Sequence, residues 1–513
     1  MRNLRGTLAV VLIVLSTSTL AEMVTAGPPA FPGAEGGGAL SQGGRGGQVL
    51  YVTTVEDYDD RFESVIPGSF RWAVQEMTGP RIVVFRVGGT IELKRNIELS
   101  SQHSHLTIAG QTAPGGGIQL SGAQIEGWTN DPCRGRTPLV IAGADHVIVR
   151  YLRVRTGRGL TDCSGGPDTI SITGTSKDIM LDHLSMFWAQ DETFNINGFT
   201  SNSPVSRVTL QNSILAEPRE GHATSALYSA RSAEARTKMF DIDLLRNYLV
   251  NSSHRNPAAA IETGRFVNNI VYNGRIGGIF RSGTRQDIVG NVYKMGPLGS
   301  SSSRRFDIST YGANDWDDAL AVRKDPELYV AGNKGRFYVT NPDADNWPMV
   351  RRLTTGPHGS EGGVAPTEWR RHTPLPPPHG IPISIVHAND VEDLLLPWVG
   401  ASRRLDCEGN WVLNRDSQDK RVIAEYFANG GGLVSHEEEV GGFPVLESGI
   451  PCVDTSGDGI PDEWAMKNDL DYTDPSLGST VHSSGYTYLD LYLNGMQPGG
   501  LAPAAAPTGI NVK

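Results

Sequence analysis

The chain has 513 residues and a formal net charge of −11, from 45 basic and 56 acidic side chains. An acidic chain of this kind argues against nucleic acid as a partner, because nucleic-acid-binding domains carry a basic face. An anionic substrate is not excluded, since a basic cleft or a bound cation reverses the charge locally.

Residues 1–26 have the pattern of a secretory signal peptide. Arg2 and Arg5 precede an apolar run over 7–15, and small residues at 24–26 provide a cleavage site. The run is shorter than the roughly 20 residues of a membrane span, and no later segment is longer. The sequence predicts a soluble, secreted protein with no membrane anchor; a retained N-terminal anchor is the alternative. Removal of two arginines and one glutamate changes the net charge from −11 to −12.

Four cysteines occur, which in an exported chain predicts two disulfide bonds. Three connectivities are possible. We favour Cys133–Cys163 and Cys407–Cys452, because each pair then stays within one region of the chain. None of the four lies in a CxxC motif, so a metal or redox role is not indicated.

A short strand phrase recurs along the middle of the chain. Its copies alternate apolar and polar residues, and none can bury its apolar face alone. They are VIVRYLRV (147–154), IMLDHLSM (179–186), VTLQNSIL (208–215), LLRNYLVN (244–251), FVNNIVYN (266–273) and DIVGNVYK (287–294). Repeats of about 20–35 residues are typical of stacked arrays. The sequence therefore predicts an all-β fold, a right-handed parallel β-helix.

One position of the phrase is polar or aromatic in every copy. The residues there are Tyr151, His183, Asn212, Asn247, Asn269 and Asn291. We expect the four asparagines to form an internal ladder of stacked amides. The alternative is that asparagine only marks turns.

The two ends of the array differ from its middle. Residues 68–76 read as a cap helix over the first coil of a β-helix domain predicted at 27–330. Residues 331–450 are rich in proline, glycine and charge, and we expect lower coils and long loops packed on the β-helix. Residues 451–513 form a C-terminal segment and tail.

The C-terminal segment contains the spacing of a calcium-binding loop. Asp454, Ser456, Asp458 and Asp462 take positions 1, 3, 5 and 9, with a glycine at the sharp turn. The twelfth position is not the usual glutamate, so Glu463 or Asp490 would have to complete the site. The alternative is an Asp/Gly-rich turn that binds nothing.

A second group of polar residues lies at strand ends within the array. Asp168 precedes one strand, Asp191 follows another with Glu192 and Asn195, and Arg255 follows a third. Neighbouring parallel strands lie about 5 Å apart, so we expect these side chains on one flank. Clustered oxygen ligands suit Ca²⁺ better than zinc.

The histidine of the second phrase has a different interpretation. Asp182 and His183 lie within a strand rather than at its end. We interpret them as scaffold residues, with metal binding or base chemistry as the alternative.

Several motifs together resemble the secreted pectate lyases of polysaccharide lyase family 1. They are FPGAEGGG (31–38), SFRWAV (69–74), IVVFRVGGTI (82–91), DTISI (168–172), IMLDHLSMFWAQDET (179–193) and HRNP (254–257). The resemblance implies a pectin lyase-like β-helix and calcium-dependent β-elimination of polygalacturonate in pectin. We expect the enzyme to act as a monomer.

The resemblance also implies roles for single residues. The family's calcium ligands fall on Asp168, Asp191 and Asn195, with Glu192 as a further candidate. An aspartate is common in the family at the Asn195 position, so the neutral amide here weakens the cage by one charge. The family's catalytic base falls on Arg255. His222 and Arg281 are the candidates for binding the substrate.

The proposed base must lose its proton before it can act. An arginine side chain has a pKa above 12. Each unit by which the site lowers that pKa costs about 1.36 kcal/mol. We therefore expect activity to rise toward alkaline pH.

Two other functions compete with a lyase. A β-helix pectin hydrolase would need paired carboxylates, which Asp182 with Asp191, or Asp191 with Glu192, would supply. The NTD stretch expected of β-helix polygalacturonases is absent. The second alternative is a secreted, non-catalytic pectin-binding protein, because a fold does not determine a function.

Overall fold

The computed structural model describes residues 27–127, 130–160, 163, 165–198, 204–230, 232–300, 305–315, 324–356 and 359–500. The predicted signal peptide and residues 501–513 lie outside the described residues.

The predicted parallel β-helix is confirmed: three sheets run side by side along the array, and each turn of the chain adds one strand to each sheet. Sheet 1 contains Gln48–Val52, Arg81–Phe85, Leu106–Ala109, Asp145–Arg150, Lys177–Asp182, Ser206–Gln211, Ile242–Leu245, Thr263–Val267, Arg285–Val289 and Glu327–Ala331. Sheet 2 contains Gly89–Glu92, Ile118–Ser121, Arg153–Arg155, Ser185–Phe187, Ile214–Ala216, Tyr248–Val250, Ile270–Tyr272 and Val292–Lys294.

Sheet 3 carries the candidate site. It contains Ile97–Leu99, Leu139–Ala142, Ile170–Thr173, Glu192–Gly198, Thr224–Ala230, Ala258–Ala260, Gly278–Phe280, Ile308–Thr310, Val350–Thr354 and Ser360–Val364. All of its pairs are parallel except the last, which is antiparallel. A separate antiparallel pair joins Arg403–Leu405 to Trp411–Leu413.

The alternation of apolar residues produces a continuous interior. Ile170 and Ile172 are fully buried, and they pair in register with Phe194 and Ile196 of the next coil, which are buried as well. Full burial of one such side chain contributes about 1.5–3 kcal/mol. Stacking therefore stabilises strands that could not fold singly.

The asparagine ladder is confirmed for three of its four predicted members. The Nδ2 atoms of Asn247 and Asn269 each donate to the Oδ1 atom of the next ladder asparagine at 3.1 Å. The ladder continues from Asn291 to Asn333 at 2.9 Å and from Asn333 to Asn346 at 3.0 Å. These amides satisfy one another inside the coil, where water does not reach.

The prediction for Asn212 is wrong by one residue. Gln211 pairs with Leu245, so Ser213 and not Asn212 lies opposite Asn247. Asn212 shares its position with Tyr151 and His183, and all three have a left-handed backbone with φ between 53° and 55°. The residue at the bend of the coil directly precedes the ladder residue in the sequence. The pattern of apolar residues does not show which of the two is which.

The helices are short except one. The α-helices are Ala233–Arg236, Pro297–Ser300, Val391–Leu395, Ser417–Ala428, Asp462–Lys467 and Tyr488–Leu493. The 3₁₀ turns are Ser101–His103, Gly110–Thr112, Trp347–Met349, Thr367–Trp369, Pro378–Gly380, Glu437–Val440 and Leu477–Ser479. The segment predicted as a cap is a π-helical turn at Trp72–Glu76, and it packs Ala73 and Val74 into the main core. No helix among the described residues has the length and apolarity to cross a lipid bilayer.

The later chain covers the outside of the β-helix. The helix Ser417–Ala428 buries Val422 and Tyr426 against the outer face of sheet 2. Trp464 and Leu489 belong to an apolar cluster on the outer face of sheet 1. The two predicted disulfides are confirmed, Cys133–Cys163 and Cys407–Cys452.

Candidate active site

Most of the predicted site residues lie at or just before the start of four neighbouring strands of sheet 3, Ile170–Thr173, Glu192–Gly198, Thr224–Ala230 and Ala258–Ala260. Ile170 pairs with Phe194, which places Asp168 beside Glu192. Glu192 in turn pairs with Thr224, and Thr224 pairs with His254. Parallel stacking therefore brings together residues that are more than eighty positions apart in the chain.

Asp168 lies at the base of the cluster and is 7% exposed. Its Oδ2 atom accepts hydrogen bonds from Asn195 Nδ2 at 2.9 Å and from the Ser171 hydroxyl. Its Oδ1 atom accepts from the backbone N–H of Glu192 at 3.1 Å. Burial, together with the charge of Asp191, raises the pKa of Asp168 to about 7.

Asp191 faces two basic side chains. Its Oδ1 atom lies 3.3 Å from Nε2 of His222 and 3.8 Å from Nη1 of Arg255. Burial raises the pKa of Asp191, and the charges of His222 and Arg255 act in the opposite direction. The pKa values of both carboxyl groups are therefore raised. The neighbouring positive charges do not fully offset the cost of burying two negative charges there.

Arg255 forms its closest ion pair with Glu192, through Nη1 and Oε1. Its backbone is left-handed, with φ of 57°, which turns the chain directly before the cis Asn256–Pro257 peptide. Burial lowers the pKa of Arg255, the charge of Asp191 opposes this shift, and the charge of Arg281 adds to it. Arg281 directly follows the strand Gly278–Phe280 in sheet 3.

The donor set fits a divalent cation. Asp191, Glu192 and His222 are the one group of histidine and acidic side chains in the described parts of the chain whose ligand atoms lie within 4.8 Å of one another. The buried Oδ1 atoms of Asp191 and Asn195 accept no hydrogen bond from the described residues. Buried oxygen atoms without a hydrogen-bond donor are costly unless a cation satisfies them.

Gln190, which was not among the residues predicted from the sequence, links the loop before Asp191 to the loop that contains Gly157 and Cys163. The Gln190 side chain accepts from Cys163 N–H at 2.8 Å and donates to the Gly157 carbonyl at 2.9 Å. The backbone N–H of Gln190 donates to the Pro167 carbonyl at 2.9 Å, one residue before Asp168. The only indication of this role in the sequence is that Gln190 directly precedes Asp191. A single polar residue does not predict that its side chain links two loops.

Asp182 and His183 have the contacts of scaffold residues. The Asp182 carboxylate accepts from Arg150 at 2.9 Å and from Gln211 and Asn212 at 3.0 and 2.9 Å. The His183 ring stacks on Tyr151, with centroids 4.5 Å apart. These contacts agree with the interpretation made from the sequence.

The C-terminal loop has a different arrangement from the site on sheet 3. Asp454 accepts from the N–H groups of Gly457 and Gly459, and Asp458 accepts from those of Ile460 and Gly478. The Asp462 carboxylate accepts from Thr455 and Asp490 pairs with Arg45, so in this conformation the loop's carboxylates are engaged by the protein itself. Calcium binding at Asp454, Ser456, Asp458 and Asp462 stays a prediction.

Comparisons with known proteins find relatives by sequence over almost the whole chain and a partial likeness to solved structures. No protein-family model matches it. It is 34% identical over 496 residues to a probable pectate lyase C of Aspergillus fumigatus, covering 95% of this chain and 98% of the relative. A protein of the same name from Emericella nidulans is 33% identical over 481 residues, covering 92% and 94%.

Two solved structures are similar in part. The cedar pollen allergen Jun a 1 aligns with a TM-score of 0.46 and 15% identity, over 72% of this chain and 92% of that one. A pectate lyase from Bacillus sp. N165, solved with trigalacturonate, aligns with a TM-score of 0.45 and 14% identity, over 71% and 98%.

Proposed function

This chain belongs to the pectate lyase family, and from that premise we propose that it cleaves α-1,4-linked polygalacturonate by calcium-assisted β-elimination. The observation that carries the proposal is the cluster on sheet 3, where the buried Asp168 and the half-buried Asp191 lie near Arg255, whose pKa is lowered by burial. Such a cluster combines a cation site with a base.

In this reaction Arg255 is the base. The neutral guanidine of Arg255 takes the proton from C5 of a galacturonate residue. The electron pair of that C–H bond forms the C4–C5 double bond, and the bond from C4 to the glycosidic oxygen breaks. The leaving oxygen takes up a proton, so no water is added across the bond. General base catalysis of this kind contributes about 10²–10⁴-fold.

The carboxylates are proposed to hold the cation. Asp168, Asp191 and Asn195 provide oxygen atoms of the type that Ca²⁺ prefers. Glu192 becomes available to the cation only when its ion pair with Arg255 opens. When bound, Ca²⁺ neutralises the uronate carboxylate and so makes the C5 proton more acidic.

Two basic side chains are proposed to orient the substrate. Arg281 lies near enough to influence the pKa of Arg255, and its guanidinium suits two-point binding of a carboxylate. His222 lies beside Asp191 and adds a second donor. All these groups come from one chain, which supports action as a monomer.

The two disulfides support action outside the cell, where thiols are oxidised. The tail loop at Asp454, Ser456, Asp458 and Asp462 is proposed as a second, structural calcium site. Its own groups would have to release the carboxylates that they now engage.

Ultraviolet absorbance tests the proposal directly. Purified protein is incubated with polygalacturonate at alkaline pH, with Ca²⁺ and again with a chelator. A rise in absorbance from unsaturated uronate ends, abolished by the chelator and by Arg255→Ala, is the expected result. New reducing ends without absorbance would instead indicate a hydrolase. Pectin binding with neither signal would indicate a binding protein.

A further inference from the structure

We propose that His222 is a direct ligand of the cation site, so that this chain binds borderline divalent cations such as Co²⁺, Ni²⁺ and Zn²⁺ through a mixed nitrogen and oxygen set. This inference rests on the proposed function in one respect, because it concerns the same acidic cluster. The proposal gives the site a nitrogen ligand. It therefore predicts binding of a class of metal that calcium sites made of oxygen atoms alone do not favour.

The contact between His222 and Asp191 is the first observation. Nε2 of His222 lies 3.3 Å from Oδ1 of Asp191, yet neither buried atom has a hydrogen bond to any described residue. The two atoms therefore lie close together, but their geometry is not that of a hydrogen bond. Two ligands at 2.0–2.1 Å from one tetrahedral ion are about 3.3 Å apart, which is the observed separation.

The neighbouring donors complete the set. One ligand atom each from Asp191, Glu192 and His222 lies within 4.8 Å of the others. Asn195, in the same strand as Glu192, adds a buried Oδ1 atom that lacks a hydrogen bond from the described residues. Imidazole nitrogen and carboxylate oxygen are both ligands of zinc and related ions, whereas Ca²⁺ is bound by oxygen atoms alone.

The backbone holds the histidine in this place. The N–H of Glu220 donates to the Val434 carbonyl at 2.9 Å, which ties the segment before His222 to the outer chain. The hydroxyl of Thr224, two residues after His222, donates to the Asp191 carbonyl at 3.0 Å. The segment around His222 is thus held by one contact on each side, and the contact through Thr224 ties it to the backbone of Asp191.

The proposal is compatible with a role of His222 toward the substrate. An imidazole that binds a metal through one nitrogen usually donates its other N–H to a polar group. With Nε2 on the cation, Nδ1–H is left to donate to a uronate oxygen. In the structure it is Nε2 of His222, and not Nδ1, that lies beside Asp191.

Cobalt absorption tests the inference without an activity assay. The secreted full-length protein is stripped with a chelator and titrated with Co²⁺, and the visible ligand-field band reports nitrogen and oxygen coordination. We expect one Co²⁺ per chain in the wild type. His222→Gln should weaken Co²⁺ binding at least about tenfold, the range found when ligand support is lost. Calorimetric Ca²⁺ affinity should change much less.

Two further variants make the test specific. His222→Cys places a thiolate at the same position and should add a sulfur-to-cobalt charge-transfer band if residue 222 faces the ion. His482→Gln removes a half-buried histidine of the tail, distant from the site in the chain, and should leave the cobalt titration unchanged. Circular dichroism and thermal unfolding confirm that each variant is folded.

Contrary results are equally definite. An identical cobalt titration for wild type and His222→Gln, with no charge-transfer band in His222→Cys, would refute the inference and leave a simple His–Asp ion pair. A cobalt band that depends on His222, in a protein that makes no unsaturated uronate with any cation, would support the inference and refute the proposed lyase function.

Discussion

Arg255 and Glu192 form an ion pair in which the glutamate side chain is 2% exposed and the arginine 18%. A buried carboxylate is costly unless a positive group lies beside it, so this pairing stabilises the resting site. It also means that the proposed base and one candidate ligand of the cation are bound to each other. A cation that takes over Glu192 would release Arg255 toward the substrate.

Replacement of Arg255 should remove most of the activity. We expect Arg255→Ala to lower kcat by about 10²–10⁴-fold, the contribution of a general base, with a smaller effect on KM. Arg255→Lys should keep a rising pH profile but with lower activity, because an ammonium group lacks the planar geometry of a guanidinium. The absorbance assay measures both. Arg285→Ala, a partly exposed arginine of sheet 1 that pairs with Glu327, is the control and should have the activity of the wild type.

Replacement of Glu192 should shift the pH dependence of the reaction. Glu192→Gln keeps a polar side chain but removes the negative charge that favours the guanidinium. The pKa of Arg255, already lowered by burial, should fall further. Activity should therefore begin to rise at a lower pH than in the wild type, as a pH–kcat profile would show.

The control for that shift is Glu425→Gln, which alters an ion pair with Arg421 on the outer helix. It should leave the profile in place. An unchanged profile in Glu192→Gln would mean that the ion pair with Arg255 does not control the base.

Replacement of Asn195 by aspartate should strengthen calcium binding. The added charge supplies the carboxylate that is common in the family at this position, and we expect roughly tenfold higher Ca²⁺ affinity by calorimetry. Without calcium the variant should unfold at a lower temperature, because Asn195 now donates to Asp168 and an aspartate would repel it. Asn197→Asp, two residues further along the same strand, is the matched control. Equal calcium affinity in Asn195→Asp and wild type would contradict a ligand role.

The fold was readable from the sequence because its signals are local and repeated. Period-2 alternation in each phrase predicted the strands, and the spacing of the phrases predicted their stacking. The register of the asparagine ladder was misjudged at Asn212, because a left-handed bend residue sits next to the ladder position and either one can be polar.

The site was readable only in part. Asp168, Asp191 and Arg255 stand at strand ends, where stacking brings them together. The ion pair between Arg255 and Glu192, and the bridge through Gln190, depend on side-chain directions and on contacts between distant loops. Neither has a periodic signal in the sequence.

A buried charge network away from the site should make stability depend on pH. Burial and the charge of Asp416 raise the pKa of Asp419 to about 6, against the opposing charges of Arg155 and Arg153. The unfolded pKa is about 3.9, so the stabilising contribution of Asp419 is complete below that value and is lost as pH rises through 6. Asp419→Asn should remove this loss, which is roughly 3 kcal/mol.

Urea unfolding at pH 4, 5, 6 and 7 measures that difference. The free energy of unfolding of the wild type should fall more between pH 4 and pH 7 than that of Asp419→Asn. Asp393→Asn, on an exposed face of the neighbouring helix Val391–Leu395, should follow the wild type. Parallel curves for all three proteins would exclude Asp419 as the source.

The ladder should be costly to interrupt. Asn269→Ala removes an amide that accepts from Asn247 and donates to Asn291 and to the Leu244 carbonyl. Each buried group left without a partner costs about 1–3 kcal/mol, so we expect a loss of several kcal/mol in chemical denaturation. Asn389→Ala, on the surface, is the control. A loss below about 1 kcal/mol would show that the ladder contributes little.

Because the coils from Asn247 onward offer the next one a parallel strand edge and the same ladder amide, this part of the molecule is divisible into similar layers. The acidic cluster occupies only the layers that begin near Asp168, Asp191 and Arg255. An engineer could therefore duplicate a layer downstream of Arg281 to lengthen sheet 3, while the layers of the proposed site keep their own neighbours. The fold separates the length of the β-helix from the chemistry of the proposed site.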